Sequence, residues 1–148
     1  MILVALFVDD LIFSGNNNEM IEEFKSTTTR EFEMTDLVLL KIFLGLEVKQ
    51  GKTGIFISQE KYAKKILKKY KMENFNPVST PMELGAKLSK YDEEERVDAN
   101  RHGSLVGSLR YLTCTRPDLS LSVGIIGRFM EEPIYSHWKA LKLLGYGA

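Results

Sequence analysis

The sequence is poor in the residues that build disulfide frameworks, zinc sites and catalytic triads. Among its 148 residues it has one cysteine, Cys114, and two histidines, His102 and His137. A single cysteine excludes an internal disulfide bond, and these three side chains are too few for a four-ligand structural zinc site. Neither histidine has an evident triad partner. This composition is typical of a reducing, intracellular location, either cytoplasmic or nuclear.

Long apolar runs and a net charge are also lacking. The apolar stretch from Met1 to Val8 ends at two aspartates and follows no basic residue, so it is predicted to be neither a signal peptide nor a membrane span. The 20 basic residues balance 20 acidic ones, so any surface for a polyanion must come from a local cluster. With 44% hydrophobic residues, the chain has the composition of a globular protein that can bury one core.

Two adjacent aspartates interrupt the apolar N-terminal region. Ile2 to Val8 and Leu11 to Phe13 are rich in strand-forming residues, which predicts two short strands with Asp9-Asp10 as the turn between them. The apolar flanks predict that the carboxylates are partly buried, and such a pair needs a cation, for which Mg²⁺ is suited. The pattern therefore indicates a metal-dependent phosphoryl-transfer site. The alternative is an exposed acidic turn, for which aspartate is a common residue.

The following segments predict a helix and a second hairpin. The cluster Asn16-Asn17-Asn18 is suited to a helix N-cap, and the apolar spacing from Glu19 to Phe32 indicates an amphipathic helix. Ile42 to Gln50 and Ile55 to Ser58 flank the loop Gly51-Lys52-Thr53-Gly54, an arrangement typical of a β-hairpin.

A lysine-rich helix is predicted from Gln59 to Met72. Its apolar residues fall on one helical face and its lysines on another, and no acid interrupts the run from Lys61 to Lys71. Cations without partners favour contact with phosphates, because each contact releases counterions. The alternative is a solvated lysine face that keeps the protein in solution. The candidate nucleic-acid-binding residues are Lys61, Lys64, Lys65, Lys68 and Lys69.

The C-terminal half predicts a linker followed by helices. Residues 76–100 are polar, contain prolines and carry an acidic run, which indicates a linker or a long surface loop. Beyond it we expect a helix with an apolar stripe from Leu105 to Leu112, and a second helix capped by Thr115 that continues to Met130. A third helix, capped by Ser136, is expected from His137 to about Leu144, with Trp138 as a packing anchor.

Several segments together resemble the reverse transcriptases of Ty1/copia-type retrotransposons. FVDDLIFSGNN, at residues 7–17, is similar to the Asp-Asp segment of these polymerases, with Phe7 where tyrosine is usual. The segments that extend the resemblance in order are EFEMTDLVLLKIFLGLEV (31–48), GIFISQEKYAKKILKKYKM (54–72), VSTP (78–81), SLVGSLRYLTCTRPD (104–118) and HWKALK (137–142). The ordered set is highly specific and covers nearly the whole chain.

The resemblance implies an RNA-directed DNA polymerase with an α+β fold. Asp9 and Asp10 match the paired catalytic aspartates of the palm, which hold Mg²⁺ while the primer 3′ hydroxyl attacks a deoxynucleotide. The implied partners are an RNA/DNA primer-template duplex and a deoxynucleotide, with no membrane. The implied division is a partial palm ending in a primer-grip-like hairpin (1–58), a thumb-like basic helix (59–75), a linker (76–100) and a helical connection (101–148).

The chain also departs from the family pattern. In the family a third catalytic aspartate, the fingers and the nucleotide-binding residues lie upstream of the Asp-Asp hairpin, whereas Met1 to Val8 precede it here. We therefore expect a truncated polymerase region that is inactive alone and needs the upstream segment as a partner. Val38 stands where the family has glycine, and His102-Gly103 where a Tyr-Arg pair is common.

Two other functions compete with this interpretation. A non-enzymatic relic with residual nucleic-acid binding would contain the same residues and would expose a palm edge that lacks its strands. A receiver-like domain, in which acids bind Mg²⁺ beside a phosphoacceptor aspartate, is a remote alternative. It is disfavoured because no aspartate ends the segment Ile55 to Ser58, and because strand rather than helix follows Asp10.

Overall fold

The computed structural model describes residues 1–73, 88–89 and 93–146. Most of the expected linker, residues 76–100, lies outside the described residues. Within the described ranges the chain forms two small antiparallel sheets and five α-helices, which confirms the predicted α+β fold. The chain divides into two compact units, Met1–Leu40 and Lys41–Ala148.

The first unit is a β-hairpin followed by a helix. Its elements are β1 (Ile2–Phe7), β2 (Asp10–Gly15) and α1 (Asn18–Glu31), with β1 and β2 antiparallel. Asn17 caps α1, because its Oδ1 accepts hydrogen bonds from the backbone N–H groups of Glu19 and Met20, at 2.8 and 3.3 Å. The predicted helix and its asparagine cap are therefore confirmed.

The hairpin and α1 share a small interface. The rings of Phe13 and Phe24 lie 5.2 Å apart, and Ile21 approaches Gly15. No residue of α1 is fully buried, and large apolar side chains such as Leu6 and Leu37 are more than 70% exposed. The first unit therefore buries little apolar surface of its own.

The second unit begins with a three-stranded antiparallel sheet in the order β3-β4-β5. Its strands are β3 (Ile42–Phe43), β4 (Leu46–Gly51) and β5 (Gly54–Ser58). The predicted hairpin is present, but an additional turn at Leu44-Gly45 separates β3 from β4. Both turn residues have positive φ, 49° and 81°, as a type I′ turn requires.

Four helices enclose the hydrophobic core of the second unit. They are α2 (Glu60–Lys69), α3 (Ala99–Leu112), α4 (Ser120–Ile126) and α5 (Tyr135–Tyr146). Leu105, Leu109, Leu141 and Leu144 are fully buried, and Trp138 belongs to the same cluster. The predicted apolar stripe of α3 is thus confirmed. No helix within the described ranges has both the length and the apolar content needed to cross a bilayer.

Three predicted boundaries of the C-terminal helices are wrong. The helix expected to continue to Met130 ends at Ile126, and a 3-10 turn, Gly127–Phe129, replaces its last part, since glycine is a poor helix former. Thr115 does not cap a helix, because its Oγ1 donates to Gln59 Oε1 at 2.8 Å. Ser136 lies inside α5, where its backbone N–H donates to a carboxylate of Glu94 at 2.7 Å.

Both histidines are buried in the second unit. His137 Nδ1 accepts from the Ile134 N–H at 3.3 Å, and its Nε2 lies 3.0 Å from the carbonyl oxygen of Ser89. Within the described ranges, neither ring nitrogen of His102 has a hydrogen-bond partner. Burial lowers the pKa of His102 to about 4, and the nearby His137 adds to that shift. The His102 imidazole is therefore neutral at pH 7.

His102 makes the stability of the second unit pH-dependent. Its unfolded pKa is near 6.5 and its folded pKa about 4, so the unfolded chain binds the additional proton between these values. We expect the free energy of unfolding to fall by up to about 3 kcal/mol as the pH drops from 6.5 to 4. In His102→Leu this component should be absent, as measured by urea unfolding at pH 6.5 and 4.5. An equal loss in both proteins would contradict the assignment.

Candidate functional site

The turn of the first hairpin lies one residue earlier than predicted. Phe7 pairs with Asp10, so the loop consists of Val8 and Asp9, and Asp10 is the first residue of β2. This register places Leu6 opposite Leu11, and a two-residue loop of this kind requires a residue with positive φ. Val8 adopts it, with φ of 52°. The two aspartates still lie side by side at the hairpin tip.

The expectation that apolar flanks would bury these carboxylates is wrong. Asp9 and Asp10 are exposed, because the neighbouring side chains of Leu6, Phe7 and Val8 themselves face solvent. Within the described part of the chain neither aspartate forms an ion pair, and no group of three or more His, Cys, Asp or Glu side chains is placed to hold a metal. The site residues are thus an isolated, solvated pair of carboxylates.

The chemistry of this pair fits part of a magnesium site. Mg²⁺ prefers oxygen ligands, takes one or two carboxylates from the protein and completes its octahedral shell with water and phosphate oxygens. Asp9 and Asp10 offer carboxylate oxygens on an accessible tip, with no protein cation competing for them among the described residues. Any further ligands would have to come from water, from a substrate or from another segment.

The five candidate lysines all lie on the solvent side of the second unit's first helix. Lys61, Lys64, Lys65, Lys68 and Lys69 are exposed members of α2. Ile66, on the opposite face, and the C-cap residue Tyr70 are 4% and 3% exposed, because both pack in the hydrophobic core. We call this set of five lysines the lysine face.

Not all of these lysines lack partners, which corrects the prediction. Lys64 Nζ lies 2.6 Å from Glu60 Oε1, and this hydrogen-bonded pair raises the pKa of Lys64 and lowers that of Glu60. Lys69 Nζ donates to Ser104 Oγ at 3.3 Å. The ammonium groups of Lys61, Lys65 and Lys68 form no ion pair with any residue that the structure describes, so they are the best placed to meet phosphates.

Both ends of α2 are held by hydrogen bonds. At its start, the Lys61 backbone N–H donates to Glu47 Oε1 at 2.8 Å. At its end, the Lys71 N–H donates a hydrogen bond to the Lys68 carbonyl, and the Met72 N–H donates one to the Leu67 carbonyl. Together with the positive φ of Lys71, 57°, these hydrogen bonds form a Schellman motif. Lys71 therefore lies beyond the helix.

A polar network around the buried residue Gln59 joins the sheet to the helices, and sequence reasoning missed it. Gln59, only 3% exposed, donates through Nε2 to the Tyr111 carbonyl at 3.2 Å and accepts from Thr115 through Oε1. The Tyr111 hydroxyl donates to the carbonyl of Leu44, and its ring packs edge-on against Tyr62. These residues are far apart in sequence, so no local pattern could have indicated the network.

Val38, where the resemblance leads us to expect glycine, adopts a left-handed backbone conformation. Val38 has φ of 64°, and its N–H donates to Asp36 Oδ1 at 2.8 Å. That hydrogen bond, together with a 3.3 Å ion pair to Lys25, lowers the pKa of Asp36. Val38 therefore adopts a backbone conformation that glycine adopts at a lower energetic cost.

The chain belongs to the reverse transcriptase family. A family model described as reverse transcriptase (RNA-dependent DNA polymerase) matches residues 1–84, which is more than half of the 148 residues. The matched stretch contains both aspartates and the whole lysine face. Within the family the chain is a reverse transcriptase region of the copia type, because its transposon relatives belong to that branch.

Three plant relatives are longer than the chain. The Pol polyproteins of transposons TNT 1-94 from Nicotiana tabacum and RE1 from Arabidopsis thaliana are 36% and 34% identical over 95% and 96% of this chain. The chain spans 11% and 10% of these polyproteins. An uncharacterised mitochondrial protein of Arabidopsis thaliana is 36% identical over 94% of the chain, which spans 58% of that protein. No solved structure gives a significant match.

The hairpin tip stores backbone strain at Val8. A β-branched residue at φ of 52° costs about 1–2 kcal/mol relative to glycine. This cost is larger than the roughly 0.5–1 kcal/mol of additional conformational entropy that glycine loses on folding. We expect Val8→Gly to slow amide hydrogen exchange in β1 and β2 about fivefold. Val8→Ala is the matched control, because it keeps the Cβ and most of the strain. Equal exchange in the two variants would refute the presence of strain.

Proposed function

We propose that this chain supplies the metal-binding hairpin and a nucleic-acid-binding helix of a retrotransposon RNA-directed DNA polymerase. The observation that carries the proposal is the pair Asp9-Asp10 at the tip of a hairpin, inside the stretch that matches the reverse transcriptase family. Residues 1–58 would act as a partial palm, the segment 59–75, which contains α2, as a thumb-like element, and 101–148 as the connection.

Asp9 and Asp10 would hold the divalent metal, Mg²⁺. When bound, the metal supplies charge neutralisation at the attacking and leaving oxygens of nucleotidyl transfer. The two carboxylates contribute four oxygens on a solvated tip that an incoming nucleotide phosphate can reach. The family resemblance and the hairpin geometry both support this role.

The lysine face would bind the phosphate backbone of the primer-template duplex. Three of its ammonium groups have no ion-pair partner in the described ranges, so phosphate contact would replace counterions rather than break protein ion pairs. The Glu47 cap and the C-terminal Schellman motif hold the helix in place, so little backbone conformational entropy is lost on binding.

Polymerisation would require more than these residues provide. Two-metal chemistry needs a further carboxylate and a nucleotide pocket, and the described residues contain no cluster of three possible metal ligands. We propose that a separate polymerase segment supplies both. The second candidate is a non-enzymatic relic that retains nucleic-acid binding, which the solvated state of the aspartates and the intact packing of α2 both allow.

Metal binding can be tested without activity. Mn²⁺ added to the isotope-labelled chain should broaden the amide resonances of β1 and β2 near the tip, because the bound ion relaxes nearby nuclei. Asp9→Asn/Asp10→Asn should remove the broadening. Glu22→Gln/Glu23→Gln is the matched control, since it also neutralises two adjacent exposed carboxylates of the same unit. Broadening that persists in the aspartate variant would exclude this site.

Nucleic-acid binding can be tested by its salt dependence. In Lys65→Gln/Lys68→Gln, the slope of log K against log salt for an RNA/DNA duplex should be smaller by about 1–2, since each lost phosphate contact contributes about 0.9. Arg128→Gln/Lys139→Gln removes the same charge from exposed positions outside α2 and should leave the slope unchanged. Equal slopes in the two variants would show that the lysine face is merely solvated.

The 148-residue chain alone should not extend a primer. Primer extension with Mg²⁺ or Mn²⁺ on an RNA template should give no template-dependent product, because the further carboxylate and the nucleotide pocket are supplied elsewhere. A matched preparation of Asp9→Asn/Asp10→Asn controls for contaminating polymerase. Product made by the unmodified chain and absent from the variant would show that the chain needs no further carboxylate or nucleotide pocket from another segment.

A further inference from the structure

An exposed aromatic ring lies beside an exposed lysine on the second sheet. Phe56, in the middle of the edge strand β5, is 64% exposed. Lys49 on β4 is its direct cross-strand partner, and residues directly opposite each other in an antiparallel pair lie on the same face. The ring and the ammonium group are therefore neighbours on one accessible surface.

This face of the sheet adjoins the start of α2. The pair Glu47 and Ser58 lies two residues along from Lys49 and Phe56, hence on the same face, and Glu47 Oε1 binds the backbone N–H of Lys61. Lys49 also lies close enough to Glu60 to contribute to the lowered pKa of that carboxyl. The surface formed by Lys49 and Phe56 is thus continuous with the lysine face.

The charges around Phe56 favour an anionic partner. The two acids nearby are already engaged, Glu47 by the helix N–H and Glu60 by Lys64. The other face of the same strands bears Ile55 and Ile57 and no charged residue. Phe56 therefore exposes its ring on the charged face and not on the apolar one.

We propose that Phe56 and Lys49 form a stacking platform for an unpaired base of a single-stranded nucleic acid whose backbone continues along the lysine face. This inference rests on the nucleic-acid binding proposed above. An exposed ring offers its face to a base that is not already stacked, while a flanking lysine contacts the adjacent phosphate. The interior bases of a duplex are stacked on both faces and cannot use the ring in this way.

The test compares single-stranded and duplex probes. Fluorescence anisotropy would measure binding of a labelled oligodeoxythymidylate of about 15 nucleotides and of a blunt duplex of equal length at one salt concentration. Phe56→Leu should weaken single-strand binding about fivefold or more and change duplex binding less than about twofold. Phe56→Tyr should restore single-strand binding because it retains the ring. Ile55→Leu is the matched control, since Ile55 is equally exposed on the opposite face of the same strand.

The outcomes separate failure of the stacking platform from failure of the proposed nucleic-acid binding. Equal single-strand affinities for Phe56→Leu and Ile55→Leu would overturn the platform. A parallel loss of duplex affinity in Phe56→Leu, or duplex binding by the unmodified chain without single-strand binding, would overturn it too, while the proposed function would stand. If the unmodified chain bound neither probe, both proposals would fail.

Discussion

The packing of the apolar face of α2 against the helical core decides which side of that helix meets solvent. Ile66, Tyr70 and Met72 are at most 4% exposed, and burying each side chain stabilises the fold by about 1.5–3 kcal/mol. Repulsion between neighbouring lysines on a helix costs only a few tenths of a kcal/mol per pair. Core packing therefore outweighs the charge repulsion and forces the lysines outward. The lysine face is a consequence of the core, and any nucleic-acid binding makes use of an arrangement already determined by folding.

The same core also positions the second sheet. Gln59 immediately precedes α2 and satisfies its buried amide with Tyr111 and Thr115, while the Tyr111 hydroxyl holds the Leu44 carbonyl in the turn between β3 and β4. A buried amide without partners would be costly, so this network favours one arrangement of sheet and helices. Through it, the face that carries Phe56 and Lys49 keeps a fixed relation to the start of α2.

Local periodicity was sufficient to predict α1, α2, α3 and both hairpins, because alternation and helical spacing are properties of short segments. It failed where the local structure is determined by a contact with a residue distant in sequence or by an unusual backbone conformation. Thr115 bonds Gln59 rather than a helix end, and a valine, not an aspartate, adopts the positive φ of the first hairpin turn. The exposure of Asp9 and Asp10 was also missed, since the apolar character of their neighbours does not reveal whether those neighbours are themselves covered.

The aspartate pair and the lysine face depend on different physical conditions. The aspartate pair belongs to the first unit, which buries little apolar surface, whereas the lysine face belongs to the second, which has a helical core. Because each unit has its own packing, loss of order in the hairpin need not affect the lysines. A chain that has lost metal binding can thus retain nucleic-acid binding, whereas loss of the α2 packing would remove the lysine face. Nucleic-acid binding without metal binding would therefore distinguish a relic from a functional part of a polymerase.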